Sequence, residues 1–243
     1  MKILTQKKPK NVLLIFGNVD FHINFMYQLQ TKKELALGPN EFMDQVFDNY
    51  TTFLESKILG EMVNGDEEDG KCFIEKLLIS SVIYPIVHDQ YLSLSIQKYT
   101  ESEAIANGDF NITRIPIDEL LKSGQHCDFH SRLNMVLQFN EKLKSWCSKH
   151  PKVCWIDVNK HISEPSTNEV KQEFCDKDPT NIHILWEQTI EFWLEEINNQ
   201  GIHGIDATHI TVDLKKSADA YSIEKRERMK KHPITSILLK DGS

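Results

Sequence analysis

Three short apolar runs, separated by segments with helical spacing, constrain the fold of this chain most strongly. The runs lie at residues 11–16, 79–85 and 153–158. Runs of this length and apolar character are typical of strands buried on both faces of a parallel sheet. Apolar residues recur at helical spacing in 41–59, 132–147 and 184–197. Strand alternating with helix predicts a three-layer α/β/α domain with a mainly parallel sheet, and the polar stretch 99–125 is predicted to be an inserted loop.

Composition limits the size of the domain and its partners. The chain has 243 residues, 40% of them hydrophobic and 26% charged, so it can bury one large core. We expect an α/β domain over 1–200 and a helical extension over 201–243. The net charge of −8 disfavours nucleic acid and anionic membrane as partners. No run reaches the roughly 20 apolar residues of a membrane span, and five widely spaced cysteines indicate reduced thiols and a cytoplasmic location.

A cluster of polar residues follows the first predicted strand. Gly17 permits a tight turn there, and Asn18, Asp20, His22 and Asn24 come directly after it. Ligands of open α/β sheets bind outside the carboxyl ends of the strands, which makes this corner the first candidate for a binding site. One or two of these side chains could instead cap the next helix, because Asn and Asp accept hydrogen bonds from free helix amides.

The corner also carries a family resemblance. The segment LIFGNVD (residues 14–20) resembles the third sequence block of the SGNH/GDSL hydrolases, a strand that ends in Gly-x-Asn-Asp. It is closer still to a branch of that superfamily in which the block reads Phe-Gly-Glu-Ile-Asp. The later order is similar too, with Arg132 and Asn140 in a helix and Asp157 on a strand. The resemblance covers roughly 12–197 and implies a flavodoxin-like fold of SGNH type.

The same resemblance implies an esterase or acyltransferase that acts on an ester of a sugar or of another small polar molecule. In this chemistry a histidine takes the proton of a serine hydroxyl, and an aspartate orients the imidazole. Gly17 and Asn18 match the family's oxyanion donors, although Val19 stands where the family has its asparagine. The further candidates for substrate binding are Asp20, His22 and Arg132. We expect no cofactor and no metal.

Two Asp–His pairs compete for the family's last block, an aspartate shortly before a histidine at the start of the final helix. Asp178 and His183 directly precede the helix predicted over 184–197, but their spacing is longer than the family's. Asp206 and His209 have the family's spacing but fall one element late. We favour His183 as the base and Asp178 as its orienting partner because of their position, and the second pair is the alternative.

The family's nucleophile, the serine of a Gly-Asp-Ser turn, has no counterpart in the sequence. Three interpretations follow: the chain is a fragment, a partner chain or a homo-oligomer supplies the missing element, or the fold has lost hydrolysis. Two functions therefore stand side by side. One is an SGNH-like esterase or acyltransferase with a small-molecule or glycan ester as substrate, and the other is a non-catalytic SGNH-like binding or assembly subunit.

A different hypothesis places a metal on the His-x-Asp-x-His segment formed by His126, Asp128 and His130. Alternate residues of an extended segment point the same way, and imidazole with carboxylate suits a metal. The structural interpretation, which we favour, puts these residues in a polar loop with Asp128 near the cap of the following helix. His22, His88 and Asp89 form a second candidate metal site, and there too we favour a structural role.

Overall fold

Three short parallel strands form the sheet at the centre of the fold. They are β1 (Asn11–Leu14), β2 (Lys76–Ser80) and β3 (Val153–Ile156), and β2 lies between the other two. The structure is a computed structural model, which describes residues 2–32, 37–63, 73–107, 116–124, 126–202, 220 and 223–224. The molecule is an α/β fold in which 60% of the described residues are helical.

Helices precede, connect and follow the strands. In chain order they are α1 (Lys2–Lys7), α2 (Phe25–Lys32), α3 (Pro39–Phe53), α4 (Asp89–Asn107), α5 (Ile117–Lys122), α6 (Phe129–Cys147), α7 (Asn159–Ile162) and α8 (Trp186–Asn199). The segments with other helical hydrogen bonding are π-helical Asp20–Asn24 and Leu54–Val63 and the 3-10 turn Gln172–Phe174.

Local sequence signals explain where two of the long connecting helices, α3 and α6, begin. Pro39 is the first residue of α3, where its missing N–H costs nothing, and the Glu41 carboxylate accepts from the backbone N of Gly38 at 3.1 Å. The Asp128 carboxylate caps α6 by accepting from the backbone N of Ser131 at 3.0 Å. Asp128 is therefore a helix cap, which confirms the structural interpretation of its sequence position.

Side chains of β2 alternate between two apolar cores, one on each face of the sheet. Leu77 and Ile79 belong to the larger core, with residues of α2, α3 and α6. Leu78 belongs to the smaller core, against which Phe192 and Trp193 of α8 pack. Helices thus cover both faces, as the strand–helix alternation predicts.

The sequence predicts the number and order of the strands and the main helices, but several bounds differ. β1 ends at Leu14, before the predicted end at 16. The second predicted strand is displaced, because β2 is Lys76–Ser80 and only the first two residues of the predicted 79–85 belong to it. The loop predicted over 99–125 is wrong in part, because α4 continues to Asn107 and α5 lies within the range. Lys98 and Thr100 are buried in α4 in addition to the apolar Leu92 and Ile96, so polar residues interrupt the apolar spacing on which the prediction relied.

The predicted helical extension over 201–243 lies outside the described residues, except for 201–202, 220 and 223–224. Asp206 and His209 fall within the part that is not described. Across the described ranges, no helix combines the length and the apolar character that crossing a bilayer requires.

Candidate functional site

Gly17 forms the turn at the carboxyl end of β1, and its conformation requires glycine. Its φ angle is +94°, in the region that side chains with a Cβ disfavour. A Cβ at this position would also lie 2.5 Å from Cγ2 of Val82, which is fully buried. The Gly17 carbonyl accepts from Phe21 N at 3.0 Å and so begins the helical turn that follows. The corner is thus packed directly against the chain that leaves β2.

Residues 81–88, which leave β2 without a strand ladder, are held by asparagine side chains from three elements. Asn18 Oδ1 accepts from the backbone N of Ile83 at 3.0 Å. Asn140 of α6 contacts both backbone polar atoms of Val82, and Asn159 Oδ1 accepts from Tyr84 N at 3.1 Å. Buried backbone groups need such partners where no strand supplies them. The Asn18 side chain is thereby oriented by its oxygen, and its Nδ2 has no partner among the described residues.

His22 is buried beside the same segment. Its side chain is 6% exposed, and Nε2 lies 3.0 Å from the Ile83 carbonyl oxygen. A carbonyl oxygen can only accept, so Nε2 carries the proton. Burial lowers the pKa of His22 to about 4, and the charges of Arg132 and His183 lower it further against the opposing hydrogen bond. His22 is therefore neutral at physiological pH.

His183 is exposed on the loop that leads into α8. Its backbone N donates to Asn181 Oδ1 at 3.0 Å, and its ring meets the Tyr99 ring edge to face with centroids 6.1 Å apart. The preceding residue, Ile182, lines a small cavity together with His22. The structure thus brings the preferred histidine into the neighbourhood of the Gly17–His22 corner.

Asp178 stabilises the His183 loop through a buried ion pair. Its Oδ2 accepts from Lys98 Nζ at 2.7 Å, and both side chains are 5% exposed. Its Oδ1 accepts from the backbone N and from Oγ1 of Thr180, at 3.0 and 2.6 Å. Burial alone would raise the pKa of Asp178, but the bonds from Lys98 and Thr180 outweigh it and lower this pKa. Both carboxylate oxygens are therefore engaged in holding the loop to α4.

The remaining candidates from the corner and from α6 have protein partners. Arg132 is 2% exposed and donates to the backbone oxygens of Cys127 and Val87 and to the Asp89 carboxylate, at 2.8–2.9 Å. Asp20 Oδ1 accepts from Asn24 Nδ2 at 3.0 Å. Neither Asn18 nor Asp20 caps the helix after Gly17. The Asn18 oxygen accepts from Ile83 N and the Asp20 oxygen accepts from the Asn24 side chain, so neither bonds a free amide of the helix.

At neither of the two metal sites that the sequence suggests do the described side chains bring their ligand atoms together. His126 and His130 are exposed on either side of the Asp128 cap, and the His88 ring stacks on Phe129. Within the described ranges, one group of three side chains places its ligand atoms within 4.8 Å of one another: His161, Glu195 and Glu196. Lys160 Nζ lies 2.7 Å from a Glu196 oxygen, so a cation already neutralises that carboxylate.

A polar cleft of about 340 Å³ opens beside the loop of His183. Its walls include the rings of Tyr91 and Phe129 and the polar side chains of Gln172, Asp176 and Asn181. Pro85 and Ile86 form a further wall, so residues 81–88 join the cleft to the Gly17–His22 corner. Aromatic faces with convergent polar groups are common in sites for small polar ligands.

Sequence reasoning missed Lys98, Tyr99 and Asn159, which hold the site from α4 and α7. Lys98 follows Ser95 by three residues, so the two side chains lie on one face of α4, where both are buried.

Comparisons of the chain with protein-family models, with curated proteins and with solved structures find no match.

Proposed function

We propose that this chain is an SGNH-like domain that hydrolyses or transfers the acyl group of an ester of a sugar or of another small polar molecule, with His183 as general base. The observation that carries the proposal is the position of His183, exposed on a loop that is fixed by the buried Lys98–Asp178 pair and whose Ile182 lines a small cavity with His22. The carboxyl edge of a parallel sheet is where open α/β folds bind ligands.

Gly17 and Asn18 would stabilise the oxyanion of the tetrahedral intermediate. The bond from Ile83 N to Asn18 Oδ1 fixes the carboxamide, which leaves Nδ2 as its donor for a ligand. The backbone amide of Gly17 would be the second donor. Donors that are held before the reaction need no reorganisation when negative charge develops, which is why such groups contribute strongly to acyl transfer.

Asp178 would act as a positioning residue in this scheme. Its oxygens are bonded to Lys98 and Thr180, so its effect on His183 passes through the loop. The nucleophile is assigned to no residue, because the sequence holds no Gly-Asp-Ser turn. The polar cleft would receive the alcohol half of the ester, since Tyr91, Phe129 and Asp176 combine ring faces with a hydrogen-bond acceptor.

A non-catalytic SGNH-like binding or assembly subunit is the second candidate. The observation that favours it is the engagement of Asp178, because a carboxylate that pairs with a buried lysine stabilises the fold whether or not the histidine works. The polar cleft would then be a ligand site without chemistry.

Turnover of p-nitrophenyl acetate and labelling by a fluorophosphonate, measured on the full chain, separate the two candidates. For an enzyme, His183→Ala should lower kcat/KM by about 10²- to 10⁴-fold, as expected for loss of a general base. His150→Ala is the control, because this half-buried histidine lies just beyond the last residue of α6 and contacts Trp146. Activity that survives in His183→Ala but disappears in His209→Ala would transfer the role to the alternative pair. Wild-type protein without turnover or label would favour the binding subunit.

A further inference from the structure

A second cavity, mainly apolar, lies on the other side of Gly17. It encloses about 340 Å³ between the end of β1, α3 and α6. Its apolar walls are Phe16, Val46, Tyr50, Phe53 and Phe139. The rings of Phe16 and Tyr50 contact each other with centroids 5.3 Å apart. A cavity of this size and lining is typical of a site for a small apolar ligand.

The mouth of this cavity is unusually apolar for a protein surface. Ile15, Phe16 and Val19 are 50%, 48% and 46% exposed, so three large apolar side chains cluster within five residues. Single exposed apolar residues are ordinary, but a contiguous group beside a cavity indicates a binding surface. Tyr50, which lines the cavity, has a buried hydroxyl without a partner among the described residues.

We infer that this apolar cavity binds the aliphatic acyl chain of the ester, an assignment that rests on the proposed function. Gly17 belongs both to the cavity wall and to the proposed oxyanion donors. A carbonyl held at Gly17 and Asn18 would therefore place its acyl chain between α3 and α6. The polar cleft lies on the other side of residues 81–88 and receives the alcohol half.

The size of the cavity indicates a chain of medium length. The cavity is partly open to solvent and has a volume of about 340 Å³, near the lower end of the range for small-ligand sites. We therefore expect it to hold a chain of about eight carbons. Longer chains would leave methylenes in water.

Asp20 makes the cavity selective for neutral ligands. Its carboxylate belongs to the wall, close to the Gly17 turn where the acyl carbonyl would lie. An ester or an alcohol is tolerated beside this negative charge, whereas a free fatty acid is repelled by it. During the reaction, the donors Gly17 N and Asn18 Nδ2 would offset the same repulsion of the oxyanion. The wall therefore favours the ester substrate over its carboxylate product.

Binding of 1-octanol and of octanoate to the full chain, measured by titration calorimetry, tests the inference without any turnover. Wild type should bind 1-octanol more tightly than octanoate, and Asp20→Asn should reduce the difference. Val46→Phe, which fills the cavity from α3, should abolish binding. Phe16→Ser should weaken binding by about tenfold, as expected for the lost apolar contact, whereas the control Ile223→Ser, at an exposed apolar residue outside the cavity wall, should bind like wild type. Equal binding by wild type and Val46→Phe, or no binding by wild type, would overturn the inference.

A series of p-nitrophenyl esters separates this inference from the proposed function. If both hold, kcat/KM should rise by up to about fourfold for each methylene from acetate to octanoate, and Val46→Phe should flatten the series. If the acetate ester is turned over but longer esters give no higher kcat/KM, the cavity does not bind the acyl chain, although the protein is still an esterase. Octanol binding that depends on Val46, without turnover of any ester, would instead leave a lipid-chain binding site and remove the esterase.

Discussion

The side chain of Asn140 holds both backbone polar groups of Val82. Its Oδ1 accepts from Val82 N at 2.9 Å, and its Nδ2 donates to Val82 O at 2.9 Å. The carboxamide thus offers the donor and the acceptor that a neighbouring strand would offer, at a point where the ladder of β2 has already ended. This contact, made across 58 positions of sequence, directs residues 81–88 towards the candidate site.

Asn140→Ala should lower the free energy of unfolding by about 2–4 kcal/mol, because it leaves a buried N–H of Val82 without a partner and removes one of the two donors to its carbonyl. Asn140→Asp should also destabilise, since a carboxylate oxygen would replace the donor that faces Val82 O. Urea denaturation measures both changes. Gln138→Ala is the control on the same helix, because Gln138 is exposed. A cost for Asn140→Ala no larger than that of the control would show that Val82 finds other partners.

Gly17→Ala should be more costly than Gly124→Ala, although both glycines have positive φ angles of +94° and +72°. An added Cβ at Gly124 meets nothing within 4 Å, so this variant should lose only the roughly 1 kcal/mol of backbone strain. At Gly17 the Cβ would also lie 2.5 Å from Val82 Cγ2, which should raise the loss to about 2–4 kcal/mol. Thermal unfolding of the two variants shows which of them loses more stability. Val82→Ala should partly rescue Gly17→Ala, and the absence of rescue would place the clash elsewhere.

The stability of the protein should depend on pH through His22. Burial lowers the folded-state pKa of His22 from 6.5 to about 4, so between these values the unfolded chain binds a proton that the folded chain does not. Unfolding free energy should therefore fall as pH drops from 6.5 to 4, by about 3 kcal/mol. His22→Gln can still donate to the Ile83 carbonyl and should flatten this part of the curve. His130→Gln, at an exposed histidine, is the control, and an equally steep curve in both variants would assign the dependence to other groups.

Sequence patterns predict the fold better than the site because the two depend on different signals. The apolar character of residues such as Leu77 and Ile79 is strong and local, so the order of strands and helices follows from it. The site depends on single polar side chains that reach across the fold, such as Asn18 to Ile83 and Lys98 to Asp178. No spacing within one segment records such pairs. For the same reason, the sequence marks Asp178 and His183 as candidates but does not give the lysine that holds their loop.

The buried pair of Lys98 and Asp178 should contribute far more than the exposed pair of Lys142 and Asp44. Asp178→Asn removes the carboxylate partner of a buried lysine and should cost about 3–5 kcal/mol at pH 7, whereas Asp44→Asn should cost about 1 kcal/mol or less. The partners of Asp178 lower its pKa below 3.8. Its contribution to the free energy of unfolding is therefore complete above pH 3.8 and is lost as pH falls through the lowered pKa. Urea denaturation at pH 7 and pH 3 checks this. The difference in unfolding free energy between wild type and Asp178→Asn should be smaller at pH 3 than at pH 7. Adding Lys98→Met to Asp178→Asn should restore part of the stability lost at pH 7. A gap that stays constant with pH would mean that the carboxylate charge is not what holds the loop of His183.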